Sequence, residues 1–519
     1  MRTALFLLLL LAVAAVPGSL VPQTSADPNG VAQYKIDHPE LYPILKNLQV
    51  FDTYTSVWFS AIYLLLFISL IGCVIPRTKH HLEALRAKPP RTPVRLNRMG
   101  GFRAVMVPGL VEWAVPSTGS GTARSATEIV DAARGILKSS GYRVVTFDKP
   151  GEASVSAERG YLRETGNLVF HIALLGVLLA VGVGGGFGFV GQRVVTTGQT
   201  FVNTLVNYDS FNPGRFVDTN TLSPYSIRVD SLDVVYEQSN ADARGEPLDY
   251  TAHVTAKTPD GKAEKRTIKV NEPLEIGGTS VYLLGNGYAP VVTIRNAKGD
   301  IVFRDATPFL PQDSNLTSQG VIKIPDGLSK QLGIIGIFRP TAAKTMANGP
   351  ISTYPGLDNP KLSLTIFSGD LGLDNGSPVS VYALNVNKLT QIAGPTASSP
   401  GLDLKPGQTA QLPGGLGSVT FDGVKRFASL DVHHDPTKTW VLIFAICILG
   451  GLLTSLFVPR RRMWVKAIEQ PDGGIRVEYA GLARGDDPGL DAAVDALAAK
   501  HRALIEPQQN ESSAAETKA

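Results

Sequence analysis

The chain is poor in cysteine and in charge. Only two cysteines occur among 519 residues, Cys73 and Cys447. Each lies inside an apolar run, so they are not expected to pair, and no Cys-x-x-Cys occurs anywhere. That excludes a thiol oxidoreductase and a c-type cytochrome, and it leaves every domain to fold without disulfides. Charged residues make up 18% of the chain and the mean hydropathy is +0.07, a balance too apolar for a soluble chain of this length. Enzyme signatures are missing too. There is no phosphate loop ending in Gly-Lys-Ser/Thr, no Gly-x-Ser-x-Gly elbow and no His-Glu-x-x-His zinc helix. No residue reads as catalytic, no internal repeat is apparent, and the four tryptophans, Trp58, Trp113, Trp440 and Trp464, are scattered.

What is present in excess is long apolar runs. They cover Ala4–Val21, Val57–Ile75, Leu168–Val190 and Thr439–Val458. About 20 residues at 1.5 Å rise cross a bilayer core, so each is long enough to span. The first run also fits a cleaved signal peptide, with its basic start and the small residues near Ser25-Ala26. Its long core, followed by Pro17-Gly18 and Pro22, favours a retained span.

Basic residues orient the spans. After the second run, Arg77, Lys79, Arg86, Lys88, Arg91, Arg95, Arg98 and Arg103 face Glu83 as the only acid. The loop before it has Lys35 and Lys46 against Asp27, Asp37, Glu40 and Asp52. The positive-inside rule then places both termini in the cytoplasm, with one large domain outside. These flanks explain the net charge of +4 without nucleic-acid binding.

The expected organisation is a span over 1–22, an outer loop over 23–56, a span over 57–75, and a cytoplasmic segment over 77–167. A span over 168–190, an outer domain over 191–438, a span over 439–458 and a cytoplasmic tail over 459–519 follow. The first cytoplasmic segment begins as a basic, proline-punctuated linker. Ser125–Ser140 then reads as a helix, Gly141 closes it, and Tyr142–Phe147 alternates like a strand. The outer domain carries strand patterns at 226–230, 249–254, 279–284, 291–295, 362–366, 380–384 and 418–424, with turn signals at Asp260-Gly261 and Lys298-Gly299-Asp300. The tail has one helix, about Gly489–Ile505, and a polar end, Gln508–Ala519, that is expected to be disordered. The fold class is a multi-pass α-helical membrane protein of four transmembrane helices with a large, mainly antiparallel β extracytoplasmic domain, a sandwich or barrel.

Eight histidines occur. His38 and His253 read as surface positions, His80-His81 as part of the basic linker, and His501 as interfacial on the tail helix. His171 differs because it lies inside the third run. An ionisable side chain there costs free energy, and neutral imidazole is a common ligand of metals and haem iron. The plainer reading is a histidine that bonds a carbonyl or a neighbouring helix. Both stand at this point. His433-His434-Asp435-Pro436 precedes the last run. Asp435 and Pro436 suit a helix start, whereas paired histidines are not needed for capping and are candidates for an outer-face contact. Gly184-Gly185-Gly186-Phe187-Gly188 lies in a span and reads as a helix-packing stretch.

Longer strings carry a resemblance. Asp52-x-Tyr54-x-Ser56-x-Trp58-Phe59 with Ser69–Arg77, Arg159–His171, Gly285-Asn286-Gly287-Tyr288-Ala289-Pro290-Val291 and His434-Asp435-Pro436 together resemble the ResB (CcsB-type) family, over nearly the whole chain. Thr437 stands where that family usually has glycine. The resemblance implies System II cytochrome c biogenesis, in which a CcsA/ResC-type membrane partner and this chain carry haem b across the bilayer and present it to apocytochrome c. The chain is then a non-catalytic or co-catalytic subunit of a cytochrome c synthase (haem lyase). A thioredoxin-like thiol reductant (ResA/CcsX-type) is a further implied partner. The family's haem-ligating histidine falls on His171, and the resemblance puts the main outer haem ligands on the partner; His433 and His434 stay candidates for an outer-face haem or substrate contact. The competing expectation is a membrane-anchored scaffold that never touches haem; a single intramembrane ionisable group makes a transporter in its own right the weaker third.

Overall fold

The computed structural model describes residues 2–107, 125–240, 242–343, 351–373 and 382–505. Among them, in chain order, are helices α1 (Arg2–Leu20), α2 (Pro28–Asp37), α3 (Leu41–Asn47), α4 (Val57–Arg86), α5 (Ala126–Ser139), α6 (Leu162–Phe187), α7 (Lys438–Phe457) and α8 (Leu490–Ile505). Helices α1, α4, α6 and α7 are long and apolar enough to cross a membrane. Large side chains such as Leu5, Phe6, Leu64, Leu65, Ile443 and Ile446 stand exposed on them. A surface of that kind needs lipid rather than water around it, so the chain is a multi-pass membrane protein. Two compact units divide it: Met1–Leu20, Thr53–Val181 and Thr439–Ala519 in one, Val21–Asp52 and Gly182–Lys438 in the other.

In the first unit, Ser56 caps α4 by accepting from the Phe59 amide at 3.2 Å. The helix does not stop at Ile75. Pro76 gives up only its own amide donor, and α4 continues to Arg86, where Arg143 Nη1 donates to the carbonyls of Leu85 and Ala87 at 2.8 and 2.9 Å. His80 and His81 therefore belong to a helix, not to the linker expected from composition. Helices α6 and α7 cross at glycine: a Cβ on Gly166 would lie 2.7 Å from the Gly451 carbonyl oxygen, and one on Gly451 would lie 2.7 Å from that of Gly166. Only glycine lets the two backbones approach so closely. Tyr63 OH on α4 donates to the Leu178 carbonyl on α6.

The segments flanking these helices build one α/β domain. Five antiparallel strands run in the order Gly100–Val107, Ile475–Ala483, Arg461–Glu469, Glu152–Arg159, Arg143–Lys149. Helices α5 and α8 cover one face, where Ile129, Ala133, Leu137, Val494 and Leu497 meet Val155, Val465 and Val477. Proline-rich residues 88–98 strap the other: Leu96 is fully buried with Trp464 and Ala480, and Lys466 Nζ donates to the Val94 carbonyl at 3.4 Å. The tail thus contributes two strands beside its helix. His501 is corrected from interfacial to fully buried, with Tyr479 OH on Nδ1 and the Ile129 carbonyl on Nε2, each at 2.8 Å. At the end of α8, Ile505 is buried and Leu504 is exposed.

The second unit is β-rich and antiparallel. Thr279–Arg295 and Gly417–His434 pair along almost their whole lengths. That ribbon joins a seven-stranded sheet in the order Leu274–Ile276, Thr279–Arg295, Gly417–His434, Phe189–Thr196, Ser210–Pro213, with Ile301–Ala306 and Thr409–Leu412 on its two long strands. One end packs Val281, Leu283, Leu430 and Val432 against the four-stranded sheet of Thr200–Val202, Ser226–Tyr236, Pro247–Lys257 and Ala263–Lys269. The other packs Val292, Ile294, Val419 and Phe421 against a six-stranded sheet that includes Ser318–Ile324, Leu332–Arg339 and Lys361–Ser368. The domain is two sandwiches sharing one ribbon. The strand patterns at 279–284 and 291–295 are one strand, bulged between Leu283 and Gly285. Of the strand expected at 380–384, residues 380–381 lie outside the described residues, as do Trp113 and Gln508–Ala519, and Tyr382–Leu384 are irregular. The glycines at 184–188 admit residues 214–216: the Gly214 and Phe216 amides donate to the carbonyls of Gly188 and Gly186 at 2.8 and 2.9 Å. They pack against a loop of the β domain rather than against another spanning helix.

Candidate functional site

An open groove of about 700 Å³ lies among α4, α6 and the chain that follows α7, a volume suited to a cofactor-sized ligand. Its walls include Arg77, Arg163, Arg460 and Arg484, with Glu164 as the only carboxylate among the lining residues. Glu164 pairs with both Arg460 and Arg484. The groove is therefore basic, a setting for an anionic ligand.

His171 is half-buried in this groove. Its Nδ1 lies 2.7 Å from the Asn167 carbonyl, one turn earlier on α6. A carbonyl only accepts, so the proton sits on Nδ1 and Nε2 keeps its lone pair. Arg77 Nη1 donates to that lone pair at 3.0 Å. The ring is thus a neutral imidazole of defined tautomer. A carbonyl bond to the far nitrogen is also how proteins orient a metal-ligating histidine. Two of the strings that carry the family resemblance, one ending at Arg77 and the other at His171, meet in this hydrogen bond.

His81 also faces the groove, one turn along α4 from Arg77. It is 7% exposed. Its Nε2 lies 3.0 Å from Thr165 Oγ1, while Nδ1 has no hydrogen-bond partner and stands 3.9 Å from Glu164 Oε2. Sequence reasoning missed it because the proline and the basic run after Ile75 hid the continuation of α4. Arg77 was legible only as a topology signal. The usable clue was its place at the end of an ordered string.

A buried charged joint supports the groove from the sheet side. Arg460 donates to Glu158 Oε1 through Nη2 at 2.6 Å and Nε at 2.9 Å, and Tyr161 OH donates to Glu158 Oε2 at 3.1 Å. Burial raises the Glu158 carboxyl, but the bond and charge of Arg460, with Arg462, outweigh it and hold the group below the usual glutamate range. Gly160 sits at φ +95°, and a Cβ there would lie 2.7 Å from the Arg460 Cα. Glycine is required for both reasons.

His433 and His434 belong to the β domain and not to the unit that holds the groove. His433 Nε2 is 2.7 Å from Asp431 Oδ2, and its ring meets Tyr282 edge-on at 5.2 Å. His434 Nδ1 donates to the Gly278 carbonyl at 2.8 Å, and its ring stacks on Phe189 at 5.4 Å. Asp435 Oδ1 accepts from the Thr437 amide and hydroxyl, both at 2.7 Å, just ahead of α7. Thr437 thus closes the turn through its side chain where glycine would offer none. His253 pairs with Asp233 at 3.0 Å and His38 packs on Tyr34. Among the described residues, no cluster of three or more His, Cys, Asp or Glu could hold a metal ion without a further ligand source.

These features define a class: a multi-pass membrane protein with an arginine-lined, histidine-bearing groove at the end of its helices and a large β domain. The chain belongs to the ResB-like family, whose model matches residues 1–495. It is similar to the cytochrome c biogenesis protein CcsB of Synechococcus sp. (strain WH7803), 29% identical over 506 residues that cover 96% of this chain and 95% of that one. Proteins of the same name from Gloeobacter violaceus (strain ATCC 29082 / PCC 7421) and Microcystis aeruginosa (strain NIES-843 / IAM M-2473) are each 23% identical. They align over 54% and 57% of this chain, and over 54% and 61% of their own lengths.

Proposed function

We propose that this chain handles haem b in System II cytochrome c biogenesis, working with a CcsA/ResC-type membrane partner to bring haem to apocytochrome c. The observation that carries the reading is His171: a neutral imidazole, oriented by its own helix, with its Nε2 lone pair directed into a basic groove of haem-sized volume. Iron takes a neutral imidazole nitrogen, and the arginines match the two carboxylates of haem. One axial histidine from this chain and one from the partner make haem retention a property of the complex. The basic flanks of α4 and α7 support a cytoplasmic location for both termini and the α/β domain, in a bacterial plasma membrane, with the β domain outside. There the β domain, with His433 and His434 at the foot of α7, receives apocytochrome c, and a thioredoxin-like reductant keeps the substrate thiols reduced. The chain supplies binding and orientation within the synthase.

A second reading, a scaffold without haem contact, draws on one specific observation. Both ring nitrogens of His171 are already hydrogen-bonded, so the side chain also ties α4 to α6. A visible spectrum of the complex purified with its partner separates the two. His171→Gly is expected to remove most of the Soret band at unchanged membrane insertion and partner association. Full Soret absorbance in that variant sinks the haem reading.

A further inference from the structure

Among the described residues, Nδ1 of His81 is a buried polar atom without a hydrogen bond, and a group of that kind calls for an explanation. The Thr165 hydroxyl has a single proton and gives it to the Tyr161 carbonyl at 3.2 Å. At its 3.0 Å contact with His81 Nε2 it therefore accepts. That fixes the ring proton on Nε2 and leaves Nδ1 a bare lone pair. What Nδ1 faces is Glu164 Oε2 at 3.9 Å, a second lone-pair atom. A proton on Nδ1 turns this opposition of two acceptors into an ion pair, with the ring held by Thr165 on one side and Glu164 on the other. Resting on the haem reading above, we infer that His81 is a proton-binding site of the groove, and that an anionic porphyrin enters together with one proton taken up there.

The charges around His81 set the direction of the coupling. From α6 it faces Glu164, whose Oε1 is held by Arg460 and Arg484, and Arg460 also holds Glu158. Arg163, beside Glu164, donates to the Arg484 carbonyl. On α4 itself, Arg77 lies one turn back and bonds His171, and His80 is exposed beside Glu83. Before a ligand binds, Glu164 is doubly paired, and the arginines oppose a further positive charge at His81. Haem brings two carboxylates. Arg484, whose side chain is 71% exposed, is the pairing cation most open to them. A ligand carboxylate that draws on Arg484 weakens one of the two pairs of Glu164 and adds negative charge to the lining. Both changes favour the charged form of His81. The proton then supports Glu164 through Oε2 as Arg484 leaves Oε1. Linkage is reciprocal, so haem binds more tightly where protons are more available. His81 is a positioning residue in this scheme and does not touch the iron.

The test titrates the full-length complex with its partner, prepared free of haem, with haem between about pH 6 and 8, where carboxylates stay ionised. The Soret band gives the affinity, and calorimetry in two buffers of different ionisation enthalpy counts the protons. The wild type is expected to bind more tightly as the pH falls, by up to about tenfold per pH unit, the limit for one proton, and to take up as much as one proton per haem. Competition between protons and iron for the His171 nitrogen acts in the opposite sense, so tightening on acidification does not come from the ligand itself. His81→Gln offers Glu164 an amide N–H but cannot take a proton, and is expected to flatten or reverse the slope and bring the proton count to zero. Thr165→Val lets the neutral ring carry its one proton on Nδ1, and is expected to lower the count in the same direction. A wild-type affinity that is flat or falls on acidification, or a slope and count that survive both substitutions, overturns the proton site and leaves the haem reading standing. If His171→Gly retains the Soret band, the haem reading falls and the proton site with it.

Discussion

A histidine's role follows from what its two nitrogens touch. His171 and His501 are both neutral and doubly bonded, but their surroundings differ. His501 is sealed in the α/β core, and its lone pair is filled by a tyrosine hydroxyl that cannot leave without unpacking the sheet. Burial lowers the His501 imidazole below its ordinary value, against the bond to the Ile129 carbonyl, which favours the proton. The unfolded chain therefore binds the proton more tightly. The stability this group contributes is fully present above the unfolded value near pH 6.5, and is lost as pH falls toward and through the folded value. Hydrogen exchange of the amides around Ile129 and Tyr479 is expected to hold steady from pH 8 to 7 and to speed up below 6.5, after correction for intrinsic rates. His501→Gln should abolish that slope and cost about 1–3 kcal/mol at neutral pH. An unchanged slope in the variant assigns the acid sensitivity to another group.

At the scale of elements, two glycines hold α6 against α7. Gly166→Leu drives a branched side chain into the Gly451 carbonyl and the Ser455 amide, and the helices must separate to admit it. His171 lies five residues further along α6, so the groove widens with them. The variant is expected to insert normally but to bind at least tenfold less haem, with new protease sensitivity near Arg460–Arg462. Gly450→Leu, where a Cβ meets nothing within 4 Å, is the control and should bind as the wild type does. Much at this scale was legible beforehand. The four apolar runs became four helices because a long apolar stretch has few other fates. The alternation at 226–230 and 249–254 became paired strands for the same reason. The run past Pro76 was not legible, since proline and clustered arginine imitate a linker, and only the tertiary contacts of Val74, His81 and Arg143 show why the helix continues. Nor does local periodicity announce that Arg77 and His171 will face each other across 94 residues of sequence.

At the scale of the molecule, the α/β domain illustrates the limit of reading segments one at a time. Its central strand, Arg461–Glu469, comes from the tail and pairs with Glu152–Arg159 and Ile475–Ala483. Either half alone looks like a small, incomplete appendage. A chain cut after α7 loses that strand, its neighbour and α8, and leaves Ile129, Val155 and Ala157 facing water. Residues 125–159 in such a chain are expected to be degraded by limited proteolysis within minutes under conditions where the intact protein resists. Supplying residues 461–505 as a separate polypeptide should restore protection if the halves retain their complementarity. Persistent resistance of the truncated chain implies that the first segment folds alone.

This split sheet also imposes a schedule on biosynthesis. Glu152–Arg159 emerges roughly 300 residues before its partner, which at 5–20 residues per second is a wait of about 15 to 60 s. During that interval the nascent chain carries an open strand edge and a half-covered apolar helix, which either a chaperone or the lipid surface must shield. Quality control acting on this protein therefore has one natural checkpoint, the moment when the last ribbon closes and the early half ceases to be adhesive.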